Sequence, residues 1–503
     1  MKKILSAIMV LLLLAGCTTK TPDDTNTNTN ENTEAVNTST EKQNEQVNAG
    51  TYNITETVNN TLQDTFVFNN TEYDVSVSKR DLTGSYEEIT GTVEFSGTDI
   101  STAGSNLSVE GNTVKITAAG TYVLSGNGQG TVLVEADSDS KVQLILDNLT
   151  LTSTDNAAIL IGQADKVFIT LPDNTVNTIS DSSSYNAVYD DSDVDAAIFA
   201  KDDLTINGTG TLIVNGKKSH GIVCKDELTI AGSNIQISSV KSGINANDAA
   251  KLINATVKVN AGTDGIKADN SEDTSKGIIY VNSSTLNITA SDKGLQASAA
   301  ILIDSGNITV SASDDGLNSD NIIVINDGEL NVKSGDDAIH ADYILEVNGG
   351  TITTDSAEGL EATLVNLNGG NINITASDDG INAAQKITGI TPAITVNNGN
   401  ITVNMGPGDT DAFDSNGNII INGGNINVSA QSRFDYDGIG QLNGGTVTVN
   451  GTQISQLTNQ MMGGPGGMGG QPAPGGGFGG MGGQPTPGGQ GGKPAPGGGF
   501  GGH

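Results

Sequence analysis

Residues Asn321-Ile-Ile-Val-Ile-Asn-Asp-Gly-Glu-Leu-Asn-Val-Lys-Ser-Gly-Asp-Asp-Ala-Ile-His-Ala-Asp342 hold three short β-rich runs separated by tight turns. Asp-Gly and Ser-Gly-Asp-Asp supply the turn chemistry, and no part of the stretch repeats with a helical period. Units of this kind recur. Anchored on the small residue before the third strand, they fall at Gly221, Gly243, Gly265, Gly294, Gly316, Ala338, Gly359 and Gly380, with spacings of 22, 22, 29, 22, 22, 21 and 21. The long interval holds the polar insertion Ser271 to Gly277, and Ala412 and Gly438 follow after longer loops.

A constant period of about 22 residues carrying three strands predicts stacked coils, each advancing by roughly one strand spacing of about 4.8 Å. The fold expected is all-β, a right-handed parallel β-helix, the hand following from parallel crossovers. Inward positions hold Ile, Leu, Val and Ala, and outward positions hold Asn, Thr, Asp, Ser and Lys. Asn at repeated turns suits amide hydrogen bonding along a stack. Aromatics make up 4% of the 503 residues and Trp is absent; a thin solenoid core needs none of them, whereas a thick globular core would.

The flanks differ in kind. Lys2 and Lys3 precede a short apolar run ending in Leu14-Ala15-Gly16-Cys17. That order is similar to a bacterial lipobox, so 1–17 is expected to be a lipoprotein signal peptide with Cys17 as the lipidated residue, anchoring an exported chain to the cell membrane at the cell surface. Residues 18–50 are Thr-, Asn- and Glu-rich and too poor in apolar groups to offset ordering entropy, which predicts a disordered tether. Residues 51–90 form an N-terminal extension and 91–455 the β-helix. Residues 461–503, rich in Gly, Pro and Met, predict a flexible tail that could meet an envelope partner. Cys224 is the second of two cysteines, so no disulfide framework is expected.

The formal charge of −35 repels phosphate backbones and makes nucleic acid an unsuitable partner; it attracts divalent cations. Acids gather just before the anchors: Asp264, Asp292, Asp314, Asp315, Asp336, Asp337, Glu358, Asp378, Asp379 and Asp411. Stacked in register they would lie about 5 Å apart and repel by about 3 kcal/mol per pair at an effective dielectric near 20. A hard cation held by oxygen ligands relieves that, and calcium suits the ligand set. The competing explanation is that Asp makes good turns before Gly. Asp264, Asp292, Asp314, Asp315, Asp336, Asp337, Asp378 and Asp379 are the candidate metal ligands. Lys293 interrupts the row and neutralises part of it. Along the neighbouring strand, Asn318, Asp320, His340, Asp342 and Glu361, with Asn382, Lys267 and Gln296, form an outward polar strip; with Lys293 these are candidate sugar contacts. Three scattered histidines make no zinc site, and no nucleophile elbow stands in the ordered body.

The stretches Val109-Glu-Gly-Asn-Thr-Val-Lys-Ile-Thr-Ala-Ala-Gly-Thr-Tyr-Val-Leu-Ser-Gly126, Lys141-Val-Gln-Leu-Ile-Leu-Asp-Asn-Leu-Thr-Leu-Thr152 and Ala164-Asp-Lys-Val-Phe-Ile-Thr-Leu171 run into the Asp-Gly-Ile/Leu repeats. From Gly91 to about Asn450 the chain thereby resembles the bacterial family of carbohydrate-binding domain-containing proteins. The resemblance implies a parallel β-helix similar to pectin-degrading lyases, bound calcium, and binding to plant polysaccharides, acidic ones included. The function expected is calcium-dependent polysaccharide binding at the cell surface. Two alternatives stay open: a calcium-dependent lyase on uronic-acid polymers, with Lys267 or Lys293 as base, and a structural adhesin or envelope spacer. A lysine base must lose its proton, which surrounding acids oppose.

Overall fold

The computed structural model describes residues 52–54, 62–68, 70–86, 88–407 and 410–460. The expected signal segment with Cys17, the tether at 18–50 and the tail at 461–503 lie outside them.

Each coil lays one strand into each of three parallel sheets. In the coil quoted above these strands are Ile322–Ile325 in the first sheet, Glu329–Lys333 in the second, and the start of Asp337–Val347 in the third. The next coil repeats the set in register: Ile322 pairs with Ile344, Leu330 with Ile352 and Ile339 with Leu360. The body is a parallel β-helix, with the right hand that parallel crossovers impose. The 29-residue interval keeps the register, because Ile266 still pairs with Leu295 and Ala249 with Ile278. The insertion is looped out, held by Asn270 Nδ2 donating to Asp248 Oδ1 at 2.7 Å and by Lys276 on the same carboxylate.

Inward ladders make the core. Ile266, Leu295, Leu317, Ile339, Leu360 and Ile381 stack along the third sheet and are fully buried. Phe413 and Phe434 extend that ladder with ring centroids 5.3 Å apart. Cys224 is part of the same core, free and buried, and burial pushes its thiol up.

The asparagines expected at repeated turns form a ladder between the first and second sheets. Asn348 donates to Asn326, Asn368 to Asn348, Asn397 to Asn368, Asn422 to Asn397 and Asn443 to Asn422, at 2.8–3.0 Å. Antiparallel pairings close both ends of the stack: Gly91–Gly97 with Asp99–Gly104 and Leu107–Glu110 with Thr113–Ile116 at one end, Thr446–Val449 with Thr452–Ile454 at the other. Such hairpins cover edges that would otherwise template pairing with another chain.

The segment before Gly91 straps the outer face of the first sheet. Tyr73 and Val75 are buried against Ala249, Ile253, Tyr280, Leu302 and Val324. The one-turn helix Lys79–Thr83, capped by Ser78, seats buried Asp81 on Lys166 Nζ at 2.9 Å and on Thr205 Oγ1 at 2.5 Å. Lys251, 1% exposed, donates to Ser76 O at 2.8 Å and pairs with Glu227 at 2.7 Å.

Candidate cation site on the third sheet

The turn from second to third sheet brings the backbone of successive coils together. A Cβ on Gly294 would lie 2.3 Å from Val310 Cγ1 and 2.4 Å from Gly316 O, which explains the small residue there. The residue just before each anchor is tied to the coil below: Gly294 N–H donates to Asp315 O, Gly316 N–H to Asp337 O and Gly359 N–H to Asp379 O. The acids therefore stack in a row one strand spacing apart, as the period requires.

Three groups of side chains converge within that row. In each, the ligand atoms lie within 4.8 Å of one another: Asp314, Asp315 and Asp336; Asp315, Asp337 and His340; and Asp337, Glu358 and Glu361. Lys293 fills the first, its Nζ 2.5 Å from Asp314 Oδ2 and 2.6 Å from Asp315 Oδ2. Asp315 also accepts from Asn318 Nδ2 at 2.9 Å and from Asp337 N–H at 3.2 Å. The sequence expectation that Lys293 neutralises part of the row agrees with this geometry.

The third group is less balanced. Lys386, on a loop after the third-sheet strand, reaches Glu361 Oε2 at 2.9 Å. Asn382 Nδ2 donates to Glu358 Oε2 at 3.0 Å and Glu361 Oε1 at 3.2 Å. No cation reaches Glu358 among the described residues. Burial, followed by the charges of Asp337 and Glu361, pushes Glu358 up to about 8 against the hydrogen bond from Asn382. Asp337 is pushed up to about 6 by burial, although His340 bonds it at 2.9 Å. Burial alone would lower His340, but its bond to Asp337 and the charge of Glu361 raise it.

Two buried polar atoms here lack partners. Asn382 is 7% exposed and its Oδ1 accepts nothing. His340 Nε2 is buried and unbonded, 3.3 Å from Asp342 Oδ1 but out of line with it. Unsatisfied buried acceptors are costly and uncommon. Turning the Asn382 amide over would set Oδ1 beside the carboxylates, completing an all-oxygen donor set suited to a hard divalent cation.

Not every expected ligand joins a group. Asp264 is buried and accepts from Ser242 Oγ at 3.1 Å. Asp292 lies between Asp264 and Asp314, whose charges add to burial in raising it. Asp378 is exposed, and Asp379 accepts the Asp411 N–H at 3.1 Å. The polar strip is also less solvated than its outward parity implies. Asn318, Glu361 and Asn382 are buried by flanking side chains, while Asp320 is exposed and Asp342 half-buried. His340 and Glu361, expected as sugar contacts, also face the carboxylates. Glu358 was visible as an acid before an anchor; its meeting with Glu361 and Asn382 was not, because it joins positions from successive coils. Lys293, between two aspartates, is held protonated, since their hydrogen bonds outweigh burial; it is no general base in this state.

The model of a family described as "Carbohydrate-binding domain-containing protein" matches residues 110–362, half of the chain. A curated protein of that description from Acetivibrio thermocellus is 37% identical over 128 residues. The aligned part is 25% of this chain and 45% of that protein, so the chain spans under half the relative's length. A solved structure described as the polysaccharide lyase-like protein from C. thermocellum, gadolinium derivative, is 29% identical, covering 53% of this chain and 95% of that one with a TM-score of 0.40.

Proposed function

The chain belongs to the carbohydrate-binding domain-containing protein family, and from that premise we propose that it is a cell-surface lipoprotein binding plant-type or acidic polysaccharide through calcium on the third sheet. One observation carries the cation: Asp337, Glu358 and Glu361 converge beside the Asn382 amide, whose Oδ1 is without a partner, and Glu358 makes no ion pair among the described residues. These four residues would hold it. Calcium there would neutralise the carboxylates and bridge them to a uronate of the sugar chain. The protein side does the rest. Lys293 balances the neighbouring group, Lys386 flanks Glu361, and the rigid ladder sets the spacing. Support for membrane attachment is the Leu14–Cys17 sequence.

Affinity electrophoresis on polygalacturonate, pectin and cellulose, with and without chelator, tests this reading. Retardation on at least one polymer, weakened by chelator, is the expected result. Free migration on every polymer contradicts polysaccharide binding, and chelator-independent retardation contradicts the calcium.

A further inference from the structure

We propose a second, metal-independent subsite on the same sheet, in which Lys225, Lys241 and Lys267 receive the carboxylates of an acidic polysaccharide. This rests on the polysaccharide reading above and names the chemistry of one further contact. A cavity of about 430 Å³ opens here, its wall shared by the three lysines and His220. It lies at the N-terminal end of the acid row, whose Asp264 and Asp292 share its wall. Lys267 pairs in register with Gln296, then Asn318, then His340, a separation of three coils or about 14 Å.

The lysines stand out against the chain's charge. Acids outnumber Lys and Arg by 58 to 23, and most lysines meet a carboxylate. Lys115, Lys141, Lys166, Lys201, Lys251, Lys276, Lys293, Lys333 and Lys386 are all ion-paired. Among the described residues six lysines are not, namely Lys79, Lys217, Lys218, Lys225, Lys241 and Lys258, and of these Lys225 and Lys241 border this cavity, both exposed. Lys225 is positioned by the Phe199 ring, 6.0 Å below its Nζ. Lys267 is held by the half-exposed Asp269 at 3.1 Å. Of the other acids in the wall, Asp264 is engaged by Ser242, and burial, with the charges of Asp264 and Asp314, raises Asp292.

The second observation is His220. Its side chain is 12% exposed and its Nδ1 is buried with no hydrogen-bond partner, while Nε2 sits 3.6 Å from Asp195. Burial lowers the imidazole from its ordinary value against the charge of Asp195, and the nearby Lys241 and Lys225 lower it further. The ammonium groups flanking this imidazole suit a carboxylate. A polyanion approaching a body of this charge is repelled at long range. Local cations must offset that, and the lysines do so without metal. One extended sugar chain along the sheet meets the lysines at one end and the cation group at the other.

The test uses the full-length protein, polygalacturonate, and highly methyl-esterified pectin, which keeps the backbone without the charges. The wild type, Lys225→Ala/Lys241→Ala and the charge-conserving Lys225→Arg/Lys241→Arg are compared in chelator and in calcium, with a melting curve for each. In chelator, the wild type should retain polygalacturonate binding that weakens with added salt. The alanine pair should reduce it about tenfold, the arginine pair should restore it, and binding to esterified pectin should not change. Equal affinity of the alanine pair and wild type overturns the subsite, as does complete loss of wild-type binding in chelator while calcium restores it; both leave the polysaccharide reading intact. No binding to either polymer in calcium overturns that reading and the subsite with it.

Discussion

Lys293 is a cation tethered among carboxylates in a row where its counterparts in neighbouring coils are mostly acids. Removing one partner from a fully buried pair costs roughly 3–5 kcal/mol. Lys293 is 20% exposed and Asp315 5%, so Lys293→Ala should cost about 2 kcal/mol in chelator. Calcium should recover part of that by entering the vacated position, and denaturant unfolding in the two conditions measures both. A second residue-scale case lies across the coil. Burial, then the hydrogen bond with Asp248 and the charge of Asp203, pushes Asp226 up to about 7 from 3.8. The folded state thus holds a proton that the unfolded chain releases above its ordinary value. This stabilisation is complete below pH 3.8 and is lost as pH rises through about 7. Asp226→Asn should flatten the fall of stability across that window, read as melting temperature against pH; an unchanged slope contradicts it. The sequence showed which acids precede the anchors. It placed Asn382 in the polar strip but did not show that its amide and Lys386 meet the carboxylates, because these reach them from another coil and from a loop outside the period.

Among the strands, the anchors decide what a coil tolerates. Ala338 is accepted where Gly294 and Gly316 stand in the preceding coils, yet at those glycines an added Cβ meets the next coil's carbonyl at 2.4–2.5 Å. Gly294→Ala should therefore cost about 1–3 kcal/mol through overpacking. Because the clash is at the coil junction, the denaturation midpoint should fall in chelator and calcium alike. The period, three strands per coil and inward parity were all legible, since each depends on local pattern. A further signal was available in the first-sheet strands. Ile278-Ile-Tyr-Val281 and Ile322-Ile-Val-Ile325 are apolar at both parities, which means burial on both faces and therefore a cover.

That cover is a property of the whole molecule. The strap before Gly91 lacks the repeat, so its partner could not be read from spacing; only the doubly apolar strands asked for one. Removing residues 51–90 would expose Tyr280, Leu302 and Val324 together and leave Lys166 without Asp81. A contiguous exposed apolar face favours association. The shortened protein should bind a hydrophobic dye, melt at lower temperature and self-associate in sedimentation; a monomer as stable as the full chain would contradict the strap's role. At the same scale, strap and acid row occupy different sheets, and the outward Leu160, Phe199 and Val223 of the third sheet are covered by a hairpin of their own, Ala187–Tyr189 with Ser192–Val194. The central claim is that a divalent cation on Asp337, Glu358 and Glu361 joins this protein to an acidic sugar chain. Its most direct test is the affinity for polygalacturonate, measured against free calcium, for the wild type and for Glu358→Gln/Glu361→Gln. The account predicts that wild-type affinity rises with calcium and that the variant's does not; the same calcium response in both proteins, or none in the wild type, would contradict it.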